Sequence, residues 1–158
     1  MAHFSSLNPR NGQVIAEHEI FTKEAVNSAV HLAHESVAKW QALGYGKRKN
    51  VLLAWKREIA SRSEEFAEII ALETGKPTGD AQLEVSIAIA HLSWAAKKAG
   101  YYLKEQRRKP GLLMFNMEAE VHRIPYGVIG VIGPWNYPIF TPMGSIAYAL
   151  AAGNAVVF

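Results

Sequence analysis

The sequence predicts an α/β protein, a helical N-terminal part followed by the first strands of a parallel sheet. Three observations carry this expectation. Apolar residues recur at helical spacing in four successive segments between residues 22 and 103. Val128, Ile129, Val131 and Ile132 form a continuous apolar run, the pattern of a parallel strand buried on both faces. A loop, a short helix and a second apolar run, Ala155 to Phe158, come next, making a βαβ unit expected to be right-handed.

The elements follow in chain order. Asn8-Pro9-Arg10-Asn11-Gly12 is a turn, because Pro fixes φ and Asn-Gly accepts positive φ. A strand over Val14 to Ile20 makes the start a hairpin or meander. Thr22 caps a first helix with Val26, Ala29, Val30, Ala33, Val37 and Trp40 on its apolar side, and Gly44 and Gly46 end it. A second helix from Lys47 to Ala60 turns Val51, Leu52, Trp55 and Ile59 inward. Ser63, Glu64 and Glu65 open a third, since carboxylates suit a first turn, and it stops at Gly75 before Pro77. The fourth, from Asp80 to Leu103, carries Leu83, Ile87, Ala90, Trp94 and Ala95 on one face. Arg107-Arg108-Lys109-Pro110-Gly111 reads as a solvated basic loop. Leu113 to His122 alternates apolar and polar, the mark of a half-exposed strand open to pairing with another subunit. A helix from about Met143 to Ala152, ended by Gly153-Asn154, connects the two apolar strands.

The totals bound the function. A chain of 158 residues, 49% hydrophobic and 20% charged, can bury one core of ordinary size. A net charge of +3 is a small excess and does not point to nucleic acid. The chain has no cysteine, hence no disulfide, thiolate metal site or thiol nucleophile, which fits a cytoplasmic protein. No basic region followed by an apolar stretch opens the chain, so no signal peptide is expected. Residues 124–158 carry no charge, but Pro134, Pro138 and Pro142 interrupt them. Their one helical pattern falls short of the roughly 20 residues a bilayer span needs, so no membrane segment is expected.

Ligands of open parallel sheets bind beyond the carboxyl ends of the strands, and Asn136 stands at such an end. Its amide offers two uncharged donors, suited to an oxyanion. Asn is also a common turn residue, and local physics alone favours that reading. Gly127, Gly130 and Gly133 do not form a dinucleotide fingerprint and fit close strand packing better, although a cofactor could approach the backbone from Ile132 to Trp135. His31, His34 and Glu35 lack a further ligand and read as an exposed helix face, so no metal is expected. Glu73, Asp80 and Glu84 show no sign of converging, and Lys76 reads as surface.

The segment Pro125-Tyr-Gly-Val-Ile-Gly-Val-Ile-Gly-Pro-Trp-Asn-Tyr-Pro138, with Ala149-Leu-Ala-Ala-Gly-Asn-Ala-Val-Val-Phe158, resembles the aldehyde dehydrogenase superfamily. Asn8-Pro9 with Gly12 and Glu73-Thr-Gly-Lys-Pro77 add to the resemblance, which spans nearly the whole chain but only the N-terminal minority of a complete member. It implies NAD(P)-dependent oxidation of an aldehyde to an acid. It matches Asn136 to the oxyanion asparagine, Ile132, Gly133, Pro134 and Trp135 to the cofactor-lining stretch, and Tyr137 to an aromatic near the substrate channel. It implies a Rossmann-like sheet, homo-oligomers, and three parts: residues 1–105, the strands and helices of the cofactor-binding domain; 106–124, a bridging oligomerisation strand; and 125–158, the first βαβ unit. The family's nucleophilic cysteine, catalytic glutamate and ribose-binding lysine have no match here. The sequence, stopping within an apolar strand, reads as truncated, and the chain by itself as inactive. The rival expectations are a non-catalytic assembly partner and a nucleotide-binding half-domain.

Overall fold

The computed structural model describes residues 2–158. Strands β1 (His3–Leu7) and β2 (Val14–Glu19) pair antiparallel around the expected turn. Asn8 closes that turn, its carbonyl accepting from Gly12 at 2.8 Å and its side chain from the Arg10 N–H at 2.9 Å. Four helices follow: α1 (Lys23–Ala42), α2 (Gly44–Ser61), α3 (Ser63–Thr74) and α4 (Thr78–Tyr102). Thr22 caps α1 by accepting from the Ala25 N–H, as its sequence position predicts. Gly44, at φ 68°, breaks the chain between α1 and α2, whereas Gly46 lies inside α2 and ends nothing.

Two short sheets complete the chain. Strands β3 (Gln106–Arg108) and β4 (Ala119–Val121) form an antiparallel ribbon, joined through a single 3₁₀ turn at Leu112–Met114. This corrects two expectations. Arg107 and Arg108 sit in a strand rather than a loop. The alternating segment from Leu113 to His122 is a strand only over Ala119–Val121, so the predicted oligomerisation strand is much shorter than its pattern implies. Leu112, Leu113 and Phe115 are more than four-fifths exposed, so no neighbouring element holds that stretch in pleated form. Strands β5 (Val128–Gly130) and β6 (Ala155–Val157) pair in parallel and flank helix α5 (Phe140–Ala152), which is the expected βαβ unit.

One core joins the helices to this unit. Leu52 and Ile59 from α2, Ala67 and Ile70 from α3, and Met143, Ala147 and Ala151 from α5 close around α4. The buried stripe of α4 is Ala81, Glu84, Val85, Ala88, Leu92, Ala95 and Ala96, rotated from the predicted one. Leu83 and Trp94 are 60% and 48% exposed, and Ala90 is exposed too. Alanines at four of the buried positions let neighbouring helices approach closely, and periodicity alone favoured the larger side chains. Helix α1 buries no residue. Its C-terminal half meets β6, and the Trp40 indole N–H donates to the Leu150 carbonyl at 2.8 Å. On α2, Val51 faces out and Arg48 is buried. The Arg48 guanidinium donates to the Gln41 carbonyl and lies over the Tyr45 ring, and its Nε has no partner among the described residues. Burial pushes it below its ordinary pKa, and Tyr45 opposes the shift. Of the continuous apolar run, Val128 and Ile129 in β5 are only half-buried, Val131 is buried and Ile132 is exposed, because two strands leave the sheet open on one side.

Truncating Leu92 to Ala should cost about 2–5 kcal/mol, while Leu83→Ala should stay within about 1 kcal/mol, both read from denaturant midpoints. Hydrogen bonds from Arg62 hold the Glu65 carboxyl below its usual range. A depressed carboxylate pKa adds stability above the unfolded value and loses it as pH falls through the folded one. Wild type should therefore be slightly more stable than Glu65→Gln at neutral pH, with the difference vanishing in acid, followed by thermal melts across pH.

Candidate functional site

The site is built around a turn and a buried carboxylate. Helix α3 ends at Gly75, whose φ of 73° reverses the chain. A side chain there would also meet Pro9, since an added Cβ would lie 3.0 Å from its ring. The hairpin is fixed to this turn: Ser6 donates to Glu73 at 2.8 Å and Arg10 to the Gly75 carbonyl at 2.9 Å. Pro77 then enters α4. Between the two, Lys76 turns inward.

The Lys76 Nζ lies 2.5 Å from Glu84 Oε2 and 2.9 Å from the carbonyl oxygen of Asn136. It also stands 4.3 Å from the centroid of the Tyr137 ring. The Glu84 side chain is fully buried and the Lys76 side chain nearly so. Glu84 Oε1 accepts from the N–H groups of Ile139 and Phe140, at 3.0 and 3.2 Å. These are orphan donors at the start of α5, a helix with no side-chain cap of its own. A carboxylate placed there also meets the positive end of the helix dipole. One expectation is overturned: Lys76 is not a surface residue but the partner of the buried Glu84. The sequence signal was a lone Glu at an apolar-facing helical position, a pattern that more often marks a misjudged face than a buried ion pair.

The loop from β5 to α5 carries every predicted site residue. Val131 anchors it, buried and donating to the Val157 carbonyl at 2.9 Å. Gly133 sits against α5 and β6: an added Cβ would lie 3.1 Å from Pro142 and 3.2 Å from Phe158. Close packing thus explains Gly133. It does not explain Gly130, where a Cβ would meet nothing, nor Gly127, which takes φ 110°. Ile132 and Trp135 are 99% and 83% exposed, with Pro134 half-buried between them. Asn136 is exposed, and its carboxamide has no hydrogen-bond partner among the described residues. Tyr137 is half-exposed, edge-on to Phe140. A groove of about 560 Å³ runs past Asn136 and Tyr137, with Lys76 and Glu84 at its base and Leu83, Ile87 and Phe140 as apolar walls.

Beneath the loop, Asn154 joins the ends of the βαβ unit. Its side-chain oxygen accepts from the Gly127 N–H at 3.0 Å and its amide donates to the Ala149 carbonyl at 3.1 Å. Elsewhere, His31 and Glu35 pair on the exposed face of α1, as expected. Glu105, Glu120 and His122 gather on the β3–β4 ribbon, all exposed, with Glu120 shared with Arg107. No described helix is long and apolar enough to cross a membrane.

Replacing Glu84 with Ala strands the Lys76 ammonium and uncaps α5. It should cost about 3–5 kcal/mol, measured by urea unfolding.

The family model for the aldehyde dehydrogenase family matches residues 2–158. Malonate-semialdehyde dehydrogenase 2 of Oceanobacillus iheyensis is 33% identical over 150 residues, covering 95% of this chain and 30% of that protein. The NADP-dependent glyceraldehyde-3-phosphate dehydrogenase of Bacillus halodurans C-125, solved with NADP, superposes with a TM-score of 0.90 at 30% identity, over 99% of this chain and 33% of its own. A NAD-dependent benzaldehyde dehydrogenase from Corynebacterium glutamicum superposes at 0.88 with 28% identity, over 98% and 33%. The chain spans about a third of the length of the proteins it matches.

Proposed function

The chain belongs to the aldehyde dehydrogenase family, and from that premise we propose that it forms the N-terminal part of an NAD(P)-dependent enzyme oxidising an aldehyde to a carboxylic acid. Residues 1–105 and 125–158 contribute to the cofactor-binding domain and residues 106–124 to the contact between subunits of a homo-oligomer in the cytoplasm. The observation that carries the reading is the state of Asn136. Its backbone carbonyl is held by Lys76, while its carboxamide is exposed and unpartnered at the carboxyl end of a parallel strand.

That arrangement suits an oxyanion donor. When a thiolate adds to an aldehyde carbonyl, the carbonyl oxygen gains a full negative charge. A fixed, neutral N–H donor stabilises that charge more than it does the ground-state carbonyl. Asn136 supplies such a donor without a proton equilibrium of its own. Tyr137 borders the same groove and presents an aromatic wall to the body of the aldehyde. The thiol comes from outside these 158 residues, which contain no cysteine.

The residues present suit one end of a dinucleotide. Ile132 and Trp135 expose apolar surface beside the backbone of Gly133 and Pro134, where a planar ring can lie. Ile132, Gly133, Pro134 and Trp135 would hold the nicotinamide end of NAD or NADP, which when bound accepts the hydride. They offer no cationic side chain to the phosphates. The NADP-bound and NAD-dependent relatives support the choice of this cofactor class.

The test uses the protein expressed from its complete gene. Aldehyde-dependent reduction of NAD(P) should be present, and Asn136→Ala should lower kcat by roughly 10²–10³. The 158-residue chain alone should show none, lacking a nucleophile. Reduction of NAD(P) by that short chain, or full activity in Asn136→Ala, overturns the reading.

A further inference from the structure

We propose that Lys76, oriented by Glu84, is a positioning residue that fixes the Asn136 carboxamide for catalysis by clasping the backbone of its loop; this rests on the proposed role of Asn136. The observation is a contrast between main chain and side chain. From the Val131 N–H bond to the two N–H groups held by Glu84, the loop makes one other hydrogen bond to the rest of the protein among the described residues. That bond joins Lys76 to the Asn136 carbonyl. Without it, no hydrogen bond among the described residues would hold residues 132–138 to the rest of the protein, and the loop would rest on packing such as that of Gly133 against Pro142. The donor that must be pre-aimed thus sits on a loop with a single hydrogen bond between its two ends, and one side chain from the turn after α3 supplies it.

Lys76 is saturated by this work. An ammonium has three donors. One is used by Glu84, one by the Asn136 carbonyl, and the remaining direction is occupied by the face of Tyr137, a cation–π contact. No donor is left for a substrate, so the residue acts through Asn136. Glu84 plays two parts. One oxygen orients Lys76 and the other fixes the first N–H groups of α5, so both ends of the short segment from Asn136 to Phe140 refer to a single buried carboxylate on α4. Misplacing a catalytic group by about 1 Å can cost on the order of 100-fold, so such a clasp carries a kinetic consequence.

The experiment is a double-mutant cycle on the protein expressed from its complete gene, with Lys76→Met, Asn136→Ala and the double variant. Lys76→Met should lower kcat between about tenfold and a hundredfold. In the Asn136→Ala background the same change should have no further effect, because its target is gone. Multiplying losses, or an unaffected kcat in Lys76→Met, overturn the proposal. Should Lys76→Met fail to fold, the neutral pair Lys76→Met with Glu84→Met replaces it, since removing both charges avoids a stranded carboxylate. The pair should show the same loss and the same lack of effect beside Asn136→Ala, and full activity in it overturns the proposal. If wild type oxidises no aldehyde, the functional reading fails by itself. Hydrogen exchange over residues 132–137, a window that leaves out the Ile139 and Phe140 N–H groups bound to Glu84, then decides the clasp. It should quicken about tenfold in Lys76→Met, or in the neutral pair, while exchange in α2 stays as in wild type, and unchanged exchange across the loop overturns the proposal.

Discussion

The buried ion pair between Lys76 and Glu84 ties the turn after α3 and helix α4 to the Asn136 loop and the start of α5, 55 to 60 positions away. Taking two charges out of water costs several kcal/mol per ion, and their mutual attraction alone need not offset it. Here the carboxylate also receives two N–H groups of α5, and the ammonium also meets a carbonyl and an aromatic face. Both carboxylate oxygens and the ammonium thus find partners inside the fold. The pair works as a register mark: α4, the turn after α3, the Asn136 loop and the start of α5 all satisfy their polar groups in one relative placement.

The βαβ unit depends on that placement. Helix α5 lies between two parallel strands and against α4, so its position sets where the loop emerges. Glu84 fixes its N-terminal end, and Asn154 fixes its C-terminal end to the start of β5. The core around Ala81, Ala88 and Ala147 brings α4 and α5 close, so Glu84 on α4 reaches the first turn of α5. Apolar packing thereby sets the distance and the polar contacts set the aim.

The helices, the opening hairpin and the βαβ unit were legible from the residues because each has a local cause. Thr22, Gly75 and Gly153 mark ends through their own conformational chemistry, and Asn8 to Gly12 turn the chain wherever they stand. Faces were less legible. Leu83 and Trp94 look inward by hydrophobicity, yet α4 turns Ala81, Ala88 and Glu84 to its neighbours. The Leu113 to His122 pattern fails for a related reason, since alternation fits a strand only where a partner strand runs alongside, and only Ala119–Val121 has one.

By itself, the sequence determined the order of the helices and of the βαβ unit, the family and the loop that carries Asn136, because these rest on local propensity and on a motif written in consecutive residues. Tertiary structure alone decided that Lys76 is buried, that Glu84 is its partner, and that the Asn136 carbonyl is held while its carboxamide stays free. Those contacts join residues 8 to 60 positions apart. No periodicity encodes such a meeting. It follows from how four helices fill one core, and from the requirement that each charge left inside it be matched.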